Sequence, residues 1–148
     1  MIGPFENEFR FLSNFYDGYN VCYRGYAYKT AEHAFQAAKA KSTIDRDYVA
    51  LALTPAEAKK RGRHVELRPD WEFAKDRIMY EIVKEKFLQH GELARKLMAT
   101  GDEELVEVNT WGDRYWGQDP LGKGQNKLGK ILMRVRNELN ESKHNHKI

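Results

Sequence analysis

Apolar and polar positions change period several times along the chain, and each change marks an element. Tyr19, Val21 and Tyr23 alternate with other residues, Arg24-Gly25 follows, and Tyr26 and Tyr28 resume the alternation. A period of two broken by a glycine-containing dipeptide predicts a β-hairpin with its turn at Arg24-Gly25. From Thr30 the period lengthens. Thr30 is placed to cap a helix through the alanine-rich TAEHAFQAAKA, whose apolar stripe is Ala31, Phe35 and Ala38. A second short helix is expected over Ile44 to Leu53. Thr54-Pro55-Ala56-Glu57 then combines an N-cap threonine, a first-turn proline and a glutamate three residues on, and opens a helix that stops near Gly62.

Asp70 is a candidate cap for the longest helix, Trp71 to about Gln89, with Ala74, Ile78, Ile82 and Phe87 near its buried face and Gly91 just beyond. A short helix from Leu93 to Ala99 ends at Gly101, and Leu105, Val106 and Val108 predict a strand. The last helix begins near Asn126. Its apolar residues Leu128, Ile131, Leu132, Val135 and Leu139 recur at helical spacing, so one face docks on a core. The expected fold is α+β: a mostly helical single domain over 1–148 with a few short β-strands and a frayed tail from about 142 to 148.

Composition narrows the class. A chain of 148 residues buries roughly two thirds of its unfolded surface, enough for a core without disulfides or a structural metal. Hydrophobic residues are 41% and charged residues 32%, which argues against disorder. A net charge of +3 announces neither a nucleic-acid binder nor a membrane surface. Cys22 is the single cysteine, so disulfides within the chain and four-cysteine zinc sites are excluded. No secretory signal opens the sequence, and no apolar run approaches the roughly 20 residues that span a bilayer. The expectation is a cytoplasmic protein with no membrane association, no metal, no cofactor and no obligatory protein partner. His33 and His64 lack metal-like spacing and are expected to be structural; His144 and His146 belong to a solvated tail. Cys22 and Ser13 have no neighbours that would make a triad.

Chemistry concentrates in three segments. Glu32, Gln36 and Lys39 follow i, i+4 and i+7, so a carboxylate, an amide and an amine share one helical stripe beside the apolar one. From spacing alone, a solvated Glu/Lys face is the simpler account. The second segment, WGDRYWGQDPLGKGQN, sets Trp111, Tyr115 and Trp116 among glycines around Asp113 and Asp119. Such aromatics can stack on a flat base while the backbone approaches a sugar or phosphate. Gly122-Lys123-Gly124 leads into the final helix at Asn126, where exposed backbone N–H groups and a lysine would cradle a phosphate. An aromatic corner followed by a glycine turn explains the same residues. The third segment, FRFLSNFY, interleaves four aromatics with Arg10, Ser13 and Asn14: a pocket wall with an anion-binding arginine, or simple anchoring of the N-terminus.

The order of these signals resembles the NADAR, or YbiA-like, family. FLSNF at 11–15, TAEHAFQAAK at 30–39, LRPDW at 67–71 before a long helix, LMATG at 97–101, WG at 116–117 and GKGQNKLGKILMRVR at 122–136 carry the resemblance. It runs through most of the chain and is weakest over about 42–66. Its most specific parts are EHAFQAAK and the G-x-N-x-LG-x-x-LM-x-x-R pattern. The resemblance implies an N-glycosidase that separates ribose C1 from a base nitrogen. It implies either of two substrates: phosphoribosylamino-pyrimidine intermediates of riboflavin synthesis, or ADP-ribosylated guanine in nucleic acid.

Residue by residue, the resemblance puts Glu32 in the catalytic acid position and Lys39 in the active-site lysine position. It puts Asn14 on the ribose, Asp113 and Trp116 on the base or ribose side, and Arg10 on the phosphate. Ala31 departs mildly from the hydrophobic or serine residue usual before EH. Two mechanisms fit these residues. Glu32 activates water, with Asp113 as a second carboxylate, or Lys39 forms a Schiff base with the opened sugar while Glu32 moves protons. A non-catalytic module that holds ADP-ribose or NAD is the alternative of a different class.

Overall fold

Arg24 and Gly25 both take positive φ, 49° and 82°, the pair of left-handed residues that a two-residue hairpin turn requires. They join β1 (Val21–Tyr23) to β2 (Tyr26–Tyr28), antiparallel with Val21 opposite Tyr28, Cys22 opposite Ala27 and Tyr23 opposite Tyr26. Val21, Tyr23 and Tyr28 are buried while Cys22 and Ala27 face solvent, as the period-two pattern predicts. This hairpin is the one sheet among residues 1–145, which the computed structural model describes, and the other regular elements there are helices. The predicted α+β class, mostly helical, holds. The backbone clusters into two compact units. One runs from Asn14 to Gln89; the other joins Met1–Ser13 to the chain from His90 onward.

In the Asn14–Gln89 unit the helix starts are local chemistry. Thr30 in extended conformation accepts from the His33 N–H and opens α1 (Ala31–Ala38). Ser42 does the same through Asp45 for α2 (Thr43–Ala50), and Thr54 through Glu57, with Pro55 in the first turn, for α3 (Pro55–Gly62). The second helix stops at Ala50, short of the predicted Leu53, because Ala52 and Leu53 already belong to the link into the Thr54 cap. α4 (Trp71–Gln89) has the predicted span. Its buried residues form two stripes, Trp71, Ala74, Ile78 and Ile82 beside Met79, Val83 and Lys86, so the helix is covered on more than one side. Gln89 ties its end to the hairpin, accepting from the Cys22 N–H at 2.8 Å and donating to the Cys22 carbonyl at 2.7 Å.

Asp70 stands at the predicted cap position, immediately before α4. Its carboxylate is taken by the Arg68 guanidinium at 2.6 and 2.9 Å, while its backbone carbonyl accepts from the Ala74 N–H.

In the other unit a 3-10 turn (Asn7–Leu12) precedes α5 (Gly91–Met98) and α6 (Lys127–Asn145) in chain order. The strand expected at Leu105, Val106 and Val108 is reduced to isolated bridges, Ile2 with Leu105 and Val108 with Gln118. The chain turns after Val106, so no ladder extends. Leu128, Leu132 and Val135 of α6 are buried as their spacing predicts. Arg136, also buried, donates to the Thr100 hydroxyl at 2.9 Å and the Glu103 carbonyl at 2.8 Å. Because α6 reaches Asn145, the predicted tail begins inside a helix. His146 lies outside the described residues, as does the side chain of His144. Among the described residues no helix is long and apolar enough to cross a membrane.

Candidate active site

α1 is buried from Ala31 to Ala37, charged and polar residues included. The solvated Glu/Lys face that spacing alone favoured is therefore absent: Glu32 is 8% exposed and Gln36 5%. Burying a carboxylate is costly unless donors meet it. The Gln36 side-chain amide donates to the Glu32 carboxylate at 2.6 Å, the i, i+4 contact of the sequence pattern. The other end of that amide, Oε1, has no hydrogen-bond partner. It lies against Gly62 of α3, where any Cβ would collide with it. Asn14, buried in the same unit, accepts the Glu32 backbone N–H at 3.0 Å through its carbonyl, and its side-chain amide approaches the Met79 sulfur at 3.3 Å.

His33 explains why α1 stands where it does. Its Nε2 lies 2.9 Å from the Ala52 carbonyl and its Nδ1 2.8 Å from the Thr30 hydroxyl. A carbonyl only accepts, so Nε2 carries the proton and Nδ1 accepts from Thr30. Burial lowers the His33 pKa, which favours the neutral ring. This histidine is structural, as expected; His64 is exposed.

Lys39 follows at the C-cap of α1 in helical conformation, so it continues the Glu32–Gln36 stripe. Its carbonyl accepts from the Arg68 N–H at 2.8 Å, and Ala40 bridges to Leu67, which pins the helix end. The amine's pKa is lowered, first by desolvation; Glu32 opposes the shift, and Lys59, Arg63 and Lys75 add to it. Sequence reasoning missed those three cations. Lys59 and Arg63 show i, i+4 spacing, but nothing local places them near Lys39. Lys86 was missed too: 3% exposed on α4, its pKa is lowered to about 7 by burial.

The remaining candidates lie in the other unit. Arg10 is exposed at the end of the 3-10 turn, and among the described residues no carboxylate pairs with it. Asp113 is half-buried and organises its own loop: its Oδ1 accepts from the N–H groups of Tyr115 at 3.1 Å and Trp116 at 2.9 Å. Trp116 stacks on Tyr115 with ring centroids 4.8 Å apart, so one aromatic face expected to be open to a base meets a neighbouring ring instead.

The phosphate cradle at 122–126 is overturned. The N–H groups of Gln125, Asn126, Lys127 and Leu128 donate to the carbonyls of Arg114, Gly117, Tyr115 and Trp116. The Lys123 N–H is held by the Asp119 carboxylate at 2.9 Å. The Asn126 side chain, buried, donates to the Leu105 carbonyl and accepts from the Glu107 N–H. Lys123 is exposed and Asn126 is structural, because the aromatic loop closes back on the helix start and uses the donors an anion would need. Gly124, at φ 140°, permits that closure: a Cβ there would strike the Gly117 carbonyl. A groove lined by Met1, Glu8, Phe9, Lys96 and Glu103 in this unit contains none of the predicted residues.

Comparison with known proteins gives this arrangement a context. Residues 3–140 match the model of the NADAR domain. A riboflavin biosynthesis protein of Vibrio vulnificus is 40% identical over 140 residues, 93% of this chain; the chain spans 37% of that relative's length. The N-glycosidase YbiA of Escherichia coli is 39% identical over 117 residues, 78% of this chain and 72% of the relative. An N-glycosidase of Nostoc punctiforme is 44% identical over 115 residues, 74% and 73% of the two chains. The NMR structure of Escherichia coli YbiA superposes with a TM-score of 0.84 at 35% identity, covering 96% of this chain and 84% of that one.

Proposed function

Because the chain belongs to the NADAR family, we propose that it is an N-glycosidase that hydrolyses the bond between a phosphorylated ribose and a nitrogenous base, with Glu32 and Lys39 as the reacting pair. The class has support in relatives named N-glycosidases that align with 78% and 74% of this chain. The observation that carries the choice of residues is the pairing on α1 of a carboxylate 8% exposed with an amine whose pKa desolvation lowers. A protein that only held a nucleotide would need neither group at the sugar.

Desolvation lowers the Lys39 pKa and so favours the neutral amine, the form a nucleophile requires. Its nitrogen adds to C1 of the ring-opened ribose and loses a proton to Glu32. Glu32 returns that proton to the base nitrogen as the C1–N bond breaks. The base leaves, and an imine joins C1 to Lys39. Water then adds to the imine, the C1–Nζ bond breaks, and the free sugar and free lysine result. Gln36 holds the Glu32 carboxylate at the angle both transfers need. Asn14, whose carbonyl fixes the backbone of Glu32, is the proposed ribose contact.

Two substrates share this chemistry: a phosphoribosylamino-pyrimidine, in keeping with the riboflavin relative, and ADP-ribosylated guanine. Incubating purified protein with each, and following base release by chromatography, tests the proposal. Release from one and not the other names the substrate. Release from neither overturns the N-glycosidase function.

A further inference from the structure

A buried titratable ring with no part in the proposed chemistry stands next to Glu32. His33 follows Glu32 in α1 and is 0% exposed, as are Thr30 and Ala52, the two residues its ring meets. The neutral ring satisfies all of these groups without water. Nε2 donates to the Ala52 carbonyl at 2.9 Å, and Nδ1 accepts from the Thr30 hydroxyl at 2.8 Å. The same hydroxyl oxygen accepts from the His33 backbone N–H at 3.1 Å and so caps α1. The Ala52 carbonyl also accepts from Lys29 Nζ at 3.1 Å. One ring therefore ties the first turn of α1, the turn that carries Glu32, to the link between α2 and α3.

A second proton on the ring undoes this arrangement. Nδ1 then becomes a donor, and the Thr30 hydroxyl must turn its oxygen toward it while still accepting from the His33 N–H. The hydroxyl proton is left without an acceptor where water does not reach, and a buried donor without a partner is costly. The groups facing the ring are the Thr30 hydroxyl from the cap, the Ala52 carbonyl from the α2–α3 link and the Lys29 ammonium on that same carbonyl. Among the described residues no carboxylate pairs with His33, and the carboxylate of neighbouring Glu32 is met by Gln36 instead. Burial first, and Lys29 after it, lower the ring's pKa below the ordinary 6.5, while the bond to Ala52 opposes them.

We propose that Thr30, His33 and Ala52 form a proton-sensitive latch that holds the first turn of α1, and with it Glu32, in place. This builds on the N-glycosidase proposal above and gives the same site a regulation. His33 touches no reacting atom and acts as a positioning residue. The closed latch holds a neutral ring, whereas an opened latch exposes the ring to titrate at its ordinary 6.5. As pH falls below about 6.5 the open form binds a proton that the closed form refuses. The open population then rises by about tenfold per pH unit, until the lowered pKa of the closed form is reached. Above about pH 6.5 both forms are neutral and the latch does not respond.

Amide hydrogen exchange of the full chain, followed residue by residue by NMR and corrected for the intrinsic rate, is the test. Protection of the Glu32, His33 and Ala34 amides should be level from about pH 7.5 to about pH 6.5 and fall by about tenfold per unit below that, while the middle of α4 keeps its protection. His33→Gln supplies a donor and an acceptor that do not titrate, and should hold protection level throughout. Thr30→Val lacks both the cap acceptor and the donor to the ring. It should lower protection at residues 32–34 by about tenfold even at about pH 7.5, and Thr30→Ser should restore it. Level protection in wild type down to about pH 5 overturns the latch, as does an acid fall at residues 32–34 matched across α4. So does a His33→Gln protein whose acid fall is as steep as wild type's. The wild-type measurement decides alone if a variant does not fold. Exchange needs no turnover, so the two proposals fail separately: a protein that releases no base yet opens in this way retains the latch and loses only the N-glycosidase function.

Discussion

The side-chain amide of Gln36 donates to the Glu32 carboxylate at 2.6 Å along a helix that is buried from Ala31 to Ala37, and Gly62 of the next helix but one is the floor beneath that amide. Gly62→Ala therefore drives a methyl group into Gln36 Oε1. The amide must rotate away, the carboxylate loses its donor, and overpacking of this kind costs about 1–3 kcal/mol. We expect a lower Tm together with a fall in kcat larger than any change in KM. A Gly62→Ala protein with wild-type kcat would show that Gln36 does not set the position of Glu32.

Asp113 separates a structural from a chemical role. Its Oδ1 accepts two backbone N–H groups, and an asparagine retains an oxygen there. Asp113→Asn should keep the loop, whereas Asp113→Ala should lose about 1 kcal/mol or more from unpaired N–H groups. Under the Schiff-base route Asp113→Asn keeps most of its activity. Near-complete loss of kcat at unchanged Tm would instead assign the carboxylate to catalysis and favour direct attack by water.

Legibility in the sequence followed the range of the forces involved. The hairpin and the starts of α1 and α3 depend on neighbours within three or four residues, so Arg24-Gly25, Thr30 and Thr54-Pro55 announced them. The Glu32–Gln36–Lys39 stripe was equally local. Its burial was not, because what covers α1 lies on elements distant in sequence. Charged residues on a short helix read as a solvated face until those elements are in place. The same limit hid Lys59, Arg63 and Lys75 and produced the mistaken cradle at Lys123 to Asn126. Glycines before a helix do expose N–H groups, but here residues 114–117 fold back and accept from them.

Lys86 makes a prediction about stability and pH. Burial lowers its folded-state pKa to about 7 from an ordinary value of 10.5. Between those limits the unfolded chain binds a proton that the folded chain does not, so stability rises with pH through this group. Below about pH 7 both states hold the proton and the contribution flattens, with the buried charge at its full cost. Lys86→Met keeps the apolar stem and removes the amine. It should raise Tm at about pH 7 and, in thermal melts from about pH 7 to about pH 10, lack the increase shown by wild type. Parallel curves for the two proteins would mean that the amine stays charged and solvated.

Lys39 decides the mechanism. Desolvation, strengthened by Lys59, Arg63 and Lys75 and opposed by Glu32, lowers its pKa below 10.5. The nucleophile is the neutral amine, so activity should rise with pH through that lowered value. Removing Lys59 or Arg63 should move the limb to higher pH, because one cation less leaves the protonated amine more stable. Borohydride added during turnover should reduce the imine and leave a stable sugar adduct on Lys39, detectable by mass spectrometry of the digested protein. Lys39→Ala should bind ribose 5-phosphate yet turn over almost nothing, and Glu32→Gln should be severely slowed because it keeps the shape but cannot carry protons. A Lys39→Ala protein within about tenfold of wild-type activity, an effect of about 1.4 kcal/mol on the barrier, would exclude covalent catalysis. Attack by a water that Glu32 activates would then be the surviving route.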